Sequence, residues 1–484
     1  MSVSHASFGT PLATLPGVRL WMRRLLADLR SGRSCLCLFP QAGPAEVPAA
    51  AESLLDELLH ELADFILVPA SGDGAGYEAP APPSPAPPPS WDGLETILDY
   101  DDGLSGFSVT RAGTAPVPQA RVGSATGVRW VEPGVHPLAE RIVKELDDSA
   151  SGAHWGYTGI EGLLDRLTTT AGGPGTTTRV IVVRGWLEPA PAVATDLLRR
   201  LSATVKAAGL PPERRPRLLL LATSAGLPVE LPEQIAREDV GVHWWWGALG
   251  RLDTATVVAM ARSRPAGPAA RHQLLEAVAQ ATVVEVCGPF LDLAERLAVD
   301  WDGLPDDLPA LLRRIVGGPA PDLAPSVPVP APVPGPRPAE PTVSVLHPSA
   351  SLRPEWNRGA LDRWDGRLRR RPDGGADNEH RVRTRIWLAQ NHALLPLIDE
   401  AREQFTGVIR GRSRVSGTEF TALYGRPAEM ELGAMWRAHR QGHVRLTRTE
   451  ADRLRTLWMS RNKLAHRTAL DNTALEALVR VLCS

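Results

Sequence analysis

The chain has 484 residues, enough for two or three domains with cores of their own, and a formal net charge of only −2. That balance hides an asymmetry: residues 351–484 carry 25 Lys+Arg against 16 Asp+Glu, a local +9, which leaves −11 for residues 1–350. The four cysteines are spread too thinly for a disulfide framework or a zinc knuckle, the basic pair Arg23 and Arg24 follows the apolar residues instead of preceding them so that no cleavable leader is expected, and no apolar run is long enough to cross a bilayer.

A cytoplasmic protein with no membrane partner is therefore expected, with Cys35, Cys37, Cys287 and Cys483 as small apolar fillers in a reducing compartment. Val18 to Gly32 has apolar residues at helical intervals and closes on Ser31-Gly32, which predicts an amphipathic helix. It leads into Ser34–Pro40 (SCLCLFP), an apolar run of strand length. Pro48 to Leu67 is predicted as a second helix, with Leu54, Leu55, Leu58, Leu59 and Leu62 on its inner face.

Strand, turn and helix in that order is where a phosphate loop would sit. The turn Pro40-Gln41-Ala42-Gly43-Pro44-Ala45-Glu46 has no Lys, no Ser or Thr after it, and a Glu where positive charge is wanted, so phosphate binding is not expected. Farther on come a strand at Arg179–Arg184, a helix at Thr195–Gly209, a strand at Arg217–Ser224 and an apolar run at Val240–Leu249. Buried-type strands alternating with helices predict a parallel α/β sheet. Within the last run, Trp244-Trp245-Trp246 fits either an aromatic surface for a partner or a strand buried on both faces, and the second reading is preferred for at least two of the three. Residues 253–316 read as helical throughout.

This order resembles the core of AAA+-like and STAND-like P-loop NTPases, in which the second of these strands ends in acidic magnesium-binding residues and the third in a polar sensor. Here Val183 is followed by Arg184 and Gly185, and Glu188 and Thr223 are the nearest residues of the right kind. The resemblance implies a degenerate NTPase-like domain over residues 1–250, with a helical extension at 251–316, that has lost nucleotide hydrolysis and senses a signal or binds a protein partner.

Two Pro-rich stretches punctuate the chain. Residues 70–90 read as an insertion within the first domain, and residues 317–347 as a semi-rigid extended linker and the main boundary, because their prolines cannot donate to a sheet or helix. Residues 348–484 then form an all-α domain. Trp356 and Trp364 are expected to pack onto its bundle, while Arg367, Arg369, Arg370 and Arg371 form a basic turn, either solvated or facing phosphates. Helices are predicted at Val382–Ile409, Ala428–Gln441, Arg448–His466 and Asn472–Cys483, with Thr449 and Asp471 as caps of the last two.

The third of these helices carries Arg461-Asn462-Lys463-Leu464-Ala465-His466 (RNKLAH). A guanidinium can hold a phosphate bidentately, and an imidazole can move the proton of a ribose 2′-hydroxyl, so the two together suffice for phosphodiester cleavage without a metal or other cofactor. Asn462 and His466 share a helix face, whereas Arg461 and His466 point about 140° apart, so a second copy would be needed to bring the two residue types together. An Arg, a polar residue and then a His near the end of a long helix resembles the Rx4-6H motif of the HEPN superfamily, over roughly residues 380–484. That resemblance implies a homodimeric helical bundle that cleaves RNA without metal, with Arg461, His466 and Asn462 as its catalytic residues, in bacterial defence or conflict systems. Glu431, His439 and His443, on the second helix or just after it, fit either supporting groups for the cleft or ordinary surface residues, and the second reading is preferred for each. The alternative is a non-catalytic scaffold that dimerises and binds a partner NTPase complex.

Overall fold

The computed structural model describes residues 11–41, 49–62, 64–70, 137–148, 179–189, 191–262, 269–316, 346–373 and 376–484, with positions 162, 163 and 167. Most of the turn after the first strand, of the insertion 70–90 and of the linker 317–347 lies outside these residues.

The first half is organised on five parallel strands, β1 (Cys35–Phe39), β2 (Phe65–Leu67), β3 (Val180–Arg184), β4 (Arg217–Thr223) and β5 (Gly241–Trp244), in the order β2-β3-β4-β1-β5. The first strand of the chain is thus interior, and β1 and β4 are buried along nearly their whole length, which is why they read as unbroken apolar runs. The helix expected over Pro48–Leu67 is in fact two elements, a helix Ala49–Glu61 and the strand β2. A short apolar run such as Phe65-Ile66-Leu67 fits either state locally. It becomes a strand here because β3 supplies the ladder, with Val180 N–H donating to the Asp64 carbonyl at 3.1 Å and Val68 N–H to that of Val182 at 2.9 Å.

Helix Pro16–Arg30 covers one face of the sheet and ends where Gly32 takes φ 81°, so that its N–H can reach back to the Leu29 carbonyl at 3.0 Å. Trp21 on that helix donates its indole N–H to the Trp244 carbonyl at 2.9 Å. All three of Trp244, Trp245 and Trp246 are buried, but only Trp244 lies on β5, and the other two pack into the core from beyond the strand's end and not from a strand buried on both faces. A helix not anticipated from the sequence, Pro137–Asp148, buries Leu138 and Ile142 in the same core.

Residues 251–316 supply four helices, Arg251–Ala261, Ala270–Cys287, Leu291–Asp300 and Leu308–Val316. The last part of the chain has a short helix Arg353–Asn357, a hairpin of β6 (Leu361–Trp364) and β7 (Arg367–Arg370), and then helices Ala376–Arg412, Gly417–Tyr424, Leu432–Arg440, Arg448–Ala465 and Asn472–Leu482. Helix Ala270–Cys287 lies along the long helix Ala376–Arg412, and its Val278 belongs to the same apolar cluster as Leu394, Leu454 and Leu478. The Pro-rich segment thus separates these helices in sequence but not in packing.

The hairpin departs from the all-α reading of residues 348–484, and of its two neighbouring tryptophans Trp364 packs onto the long helix as expected while Trp356 does not. Trp356 sits in the core of the sheet domain, 5.5 Å from Trp244 and 6.4 Å from Trp246 between ring centroids, and Trp364 packs with Phe290, Val382 and Ile386. The basic turn is the hairpin itself: Asp365 and Gly366 at φ 48° and 77° make the two-residue, positive-φ connection that Asp-Gly favours. Its arginines are not displayed for phosphates. Arg369 bonds to Glu285 at 2.7 Å, the exposed Arg370 pairs with Glu355, and Arg371 bonds to Asp292 at 3.1 Å, which leaves Arg367 exposed and without an ion-pair partner among the described residues.

Candidate functional site

The helix bearing Arg461, Asn462 and His466 spans Arg448–Ala465. Its N-cap is Thr447 and not Thr449: the Thr447 hydroxyl accepts the Glu450 N–H at 3.3 Å, and Glu450 accepts the Thr447 N–H at 2.8 Å. Thr447-Arg448-Thr449-Glu450 is the capping-box spacing, so the signal was present in the sequence but set back by one residue pair. The Thr447 backbone N–H holds the Glu450 carboxyl below its ordinary pKa, and this part of the cap is lost as the pH falls through that lowered value. Thr447→Ala is expected to lower stability by about 1 kcal/mol, readable as a shifted urea midpoint with an unchanged slope.

Leu454, Leu457 and Leu464 on this helix are fully buried, and Ser460 nearly so. The helix end is held firmly by side chains far away in sequence. Trp387 donates its indole N–H to the Leu464 carbonyl at 2.6 Å. Gln390, completely buried, bonds both the carbonyl of Leu470 at 3.0 Å and its N–H at 2.7 Å, which fixes the loop after the helix. Lys463 reaches Asp471 at 2.9 Å, and Asp471, as the sequence predicts, caps helix Asn472–Leu482 through the Ala474 N–H at 2.8 Å. With no glycine available, the turn closes on Arg467 at φ 58°, a strained conformation for a long side chain, with its guanidinium 6.0 Å over the Trp387 ring.

Against this rigid support the three motif residues have the following places. His466 is the C-cap, with its N–H bonded to the Asn462 carbonyl at 2.9 Å; its imidazole is exposed and makes no hydrogen bond among the described residues. Asn462 is half-buried one turn earlier. Arg461 does not meet His466 within the chain: its guanidinium lies 3.1 Å from Glu431, with the two side chains 40% and 66% exposed. An ion pair this open contributes less than about 1 kcal/mol, so Glu431 is readily displaced by a stronger anion. Of the other candidate supporting groups, His443 pairs with the Tyr424 hydroxyl at 2.7 Å and His439 with the Val444 carbonyl at 3.3 Å, so both serve the turn after helix Leu432–Arg440.

At the carboxyl ends of the strands, where ligands of parallel sheets usually sit, aromatic side chains fill the space. Phe39, the last residue of β1, stacks on Trp245 at 5.6 Å and meets Trp186 edge-on at 6.3 Å. Glu188 is tied to Arg141 at 2.6 Å with only 6% of its side chain exposed, and Trp186 donates to Glu52 at 3.0 Å.

A cleft of about 160 Å³ opens beside this cluster, lined by Leu12, Pro40, Trp245, Phe290, Trp356 and Asp362 among others. Burial pushes the Asp362 carboxyl up to about 7, against the pull of hydrogen bonds from the Gly247 and Arg363 N–H groups. Because its folded pKa lies above the unfolded value near 3.9, the folded chain holds the extra proton between the two values, and stability falls as the pH rises from about 4 to about 7. Asp362→Asn is expected to abolish that slope. Urea midpoints at about pH 5 and about pH 8 should differ by on the order of 1–4 kcal/mol more in the wild type than in the variant.

No family model matches this chain, and comparison with curated proteins and with solved structures gave no match either.

Proposed function

We propose that the chain is a metal-independent endoribonuclease whose helical C-terminal part acts on RNA as a homodimer, controlled by an α/β domain that binds a signal or a protein partner instead of hydrolysing nucleotide. The observation that carries this reading is the solvent-open imidazole of His466, without a hydrogen bond among the described residues and one turn from Asn462, on a rigidly fixed helix end whose other face holds the loosely paired guanidinium of Arg461. Such groups have the chemistry that RNA-cleaving HEPN-like motifs need: Arg461 holds the scissile phosphate and the charge growing on it, His466 takes the 2′-hydroxyl proton, and Asn462 orients the imidazole or the substrate.

The dimer is supported by the face that carries the motif. Arg455, Met459, Asn462 and His466 form one stripe along the helix, and Met459 is 46% exposed there. Arg461 lies off this stripe, and a two-fold axis set between the two faces of the helix end would bring Arg461 of one chain toward His466 of the partner subunit. The aromatic filling at Phe39, Trp186 and Trp245, and the neutralised Glu188, support a regulatory rather than hydrolytic sheet domain.

A scaffold role is the second reading, favoured by the Arg461–Glu431 pair, which gives the guanidinium a structural use. Cleavage of single-stranded RNA in EDTA by the full chain, compared with Arg461→Ala and His466→Ala, separates the two. Equal cleavage by all three proteins, or none under activating conditions, would establish the scaffold.

A further inference from the structure

At the opposite, amino-terminal edge of the sheet, three potential metal donors from three elements converge. Asp28 stands in the last turn of helix Pro16–Arg30, Cys35 opens β1, and His243 lies on β5, the strand that closes this side of the sheet in the described order. Asp28 Oδ2 and His243 Nε2 are 3.0 Å apart, and these two atoms and Cys35 Sγ all lie within 4.8 Å of one another. Among the described residues this is the only group of three such side chains.

The arrangement has features of a built site. Arg33 binds the other carboxylate oxygen, Oδ1, at 2.9 Å, so Asp28 presents Oδ2 alone to its neighbours, and Arg33 is anchored in turn to Asp239. His243 is edge-on to Trp21, which sets its ring plane. Gly241 pairs with Cys35 in register, on the same side of the sheet. Its φ is not in the left-handed region, so backbone conformation gives no reason for a glycine there. Space does: a Cβ at this position would stand 2.6 Å from Asp28 Oδ2, 3.1 Å from His243 Nε2 and 3.2 Å from Cys35 Sγ. The missing side chain keeps open the point toward which the three donors turn.

We propose that Asp28, Cys35 and His243 form a three-ligand site for a zinc-class divalent ion, with a solvent molecule as the fourth ligand, stapling the end of the first helix to β1 and β5. One carboxylate oxygen, one thiolate and one imidazole nitrogen suit a borderline-soft ion in tetrahedral geometry, where donor atoms stand about 3.3–3.6 Å apart. Side-chain rotation would open the Asp28–His243 contact from 3.0 Å and draw the buried Cys35 thiol to that spacing, and the partly exposed side chains of Asp28 and His243 give the ion its route in. Binding replaces the proton of the Cys35 thiol, which leaves to solvent, and breaks the Asp28–His243 hydrogen bond, the imidazole proton passing to Nδ1 so that Nε2 can ligate. A role as core filler does not account for the shared focus of the three groups.

The test is anaerobic titration of the full chain with cobalt(II), followed by displacement with zinc. One equivalent should give the thiolate-to-cobalt charge-transfer band and the intense visible bands of a tetrahedral site. The band should persist in Cys483→Ser, which removes the exposed cysteine, and vanish in Cys35→Ser. In Asp28→Asn, which keeps the shape of the side chain, the affinity should fall at least about tenfold. Zinc should raise the melting temperature of the wild type in proportion to the logarithm of its concentration and raise that of Asp28→Asn by less at every concentration. No charge-transfer band in the wild-type chain, or a band that survives Cys35→Ser, overturns the proposal.

Discussion

Replacing Glu285 by Gln is expected to destabilise the chain by about 3–5 kcal/mol, because it strands buried positive charge at the junction of the helical layer and the hairpin. Glu285 has no exposed surface, yet sits in the apolar run Val283-Val284-Glu285-Val286-Cys287 of helix Ala270–Cys287. Three elements converge on its carboxylate. Arg369 from β7 bonds one oxygen at 2.7 Å, while Arg251, at the start of its helix, and His392, at 3.7 Å on the long helix, approach the other. Arg251 and His392 are exposed enough to turn to solvent when the carboxylate is lost, but Arg369 is only 15% exposed and is held 4.6 Å over the Trp364 ring. It keeps its charge and loses its counter-ion. The exposed pair Arg370–Glu355 on the same hairpin is the control: Glu355→Gln should change stability by less than about 1 kcal/mol. The double variant Glu285→Met with Arg369→Leu should recover most of the loss, since an apolar pair of similar volume replaces a buried ion pair without residual charge. Urea unfolding of the four proteins measures all of this; a single-variant loss below that of Glu355→Gln would show that water reaches the cluster.

RNA cleavage by Arg461→Ala and by His466→Ala is expected to fall about 10²–10⁴-fold, the range that one positioned proton-transfer or charge-stabilising group contributes. Both side chains lie at the surface, so neither change should move the urea midpoint by more than about 0.5 kcal/mol, and activity loss without stability loss marks a chemical role. Arg461→Lys should restore only part of the rate, since an ammonium keeps the charge but not the bidentate geometry. If each cleft takes its Arg461 from one chain and its single His466 from the partner subunit, mixing Arg461→Ala with His466→Ala chains will recover activity through the heterodimers that keep one intact composite cleft. Failure of the mixture to complement would rule out a cleft shared between chains even if cleavage itself were real.

The helices that carry long apolar periodicity, from Pro16–Arg30 to Asn472–Leu482, were legible in the residues, as were the interior strands β1, β3 and β4 and the cap at Asp471. So was the helix of the RNKLAH motif. These features depend on contacts a few residues apart, and a 3.6-residue repeat or an unbroken apolar run records such contacts directly. The edge strand β2 was misread as helix because three apolar residues satisfy both patterns until a neighbour provides the hydrogen bonds. The hairpin at Asp365-Gly366 was spelled out by its turn residues but masked by the arginines around it, whose carboxylate partners lie 15 to 84 positions away.

What the sequence determined unaided is therefore most of the long helices with their apolar faces, the interior strands and the charge contrast between the two parts. Tertiary structure alone decided that Trp356 belongs to the sheet core, that Glu285 is buried among arginines, that Gln390 fixes the loop after the motif, and that Asp28 meets His243 across 215 positions of chain. The reason is physical: pairing energy across a fold depends on which faces are left to cover one another once the chain has collapsed, and no local pattern of residues encodes that choice.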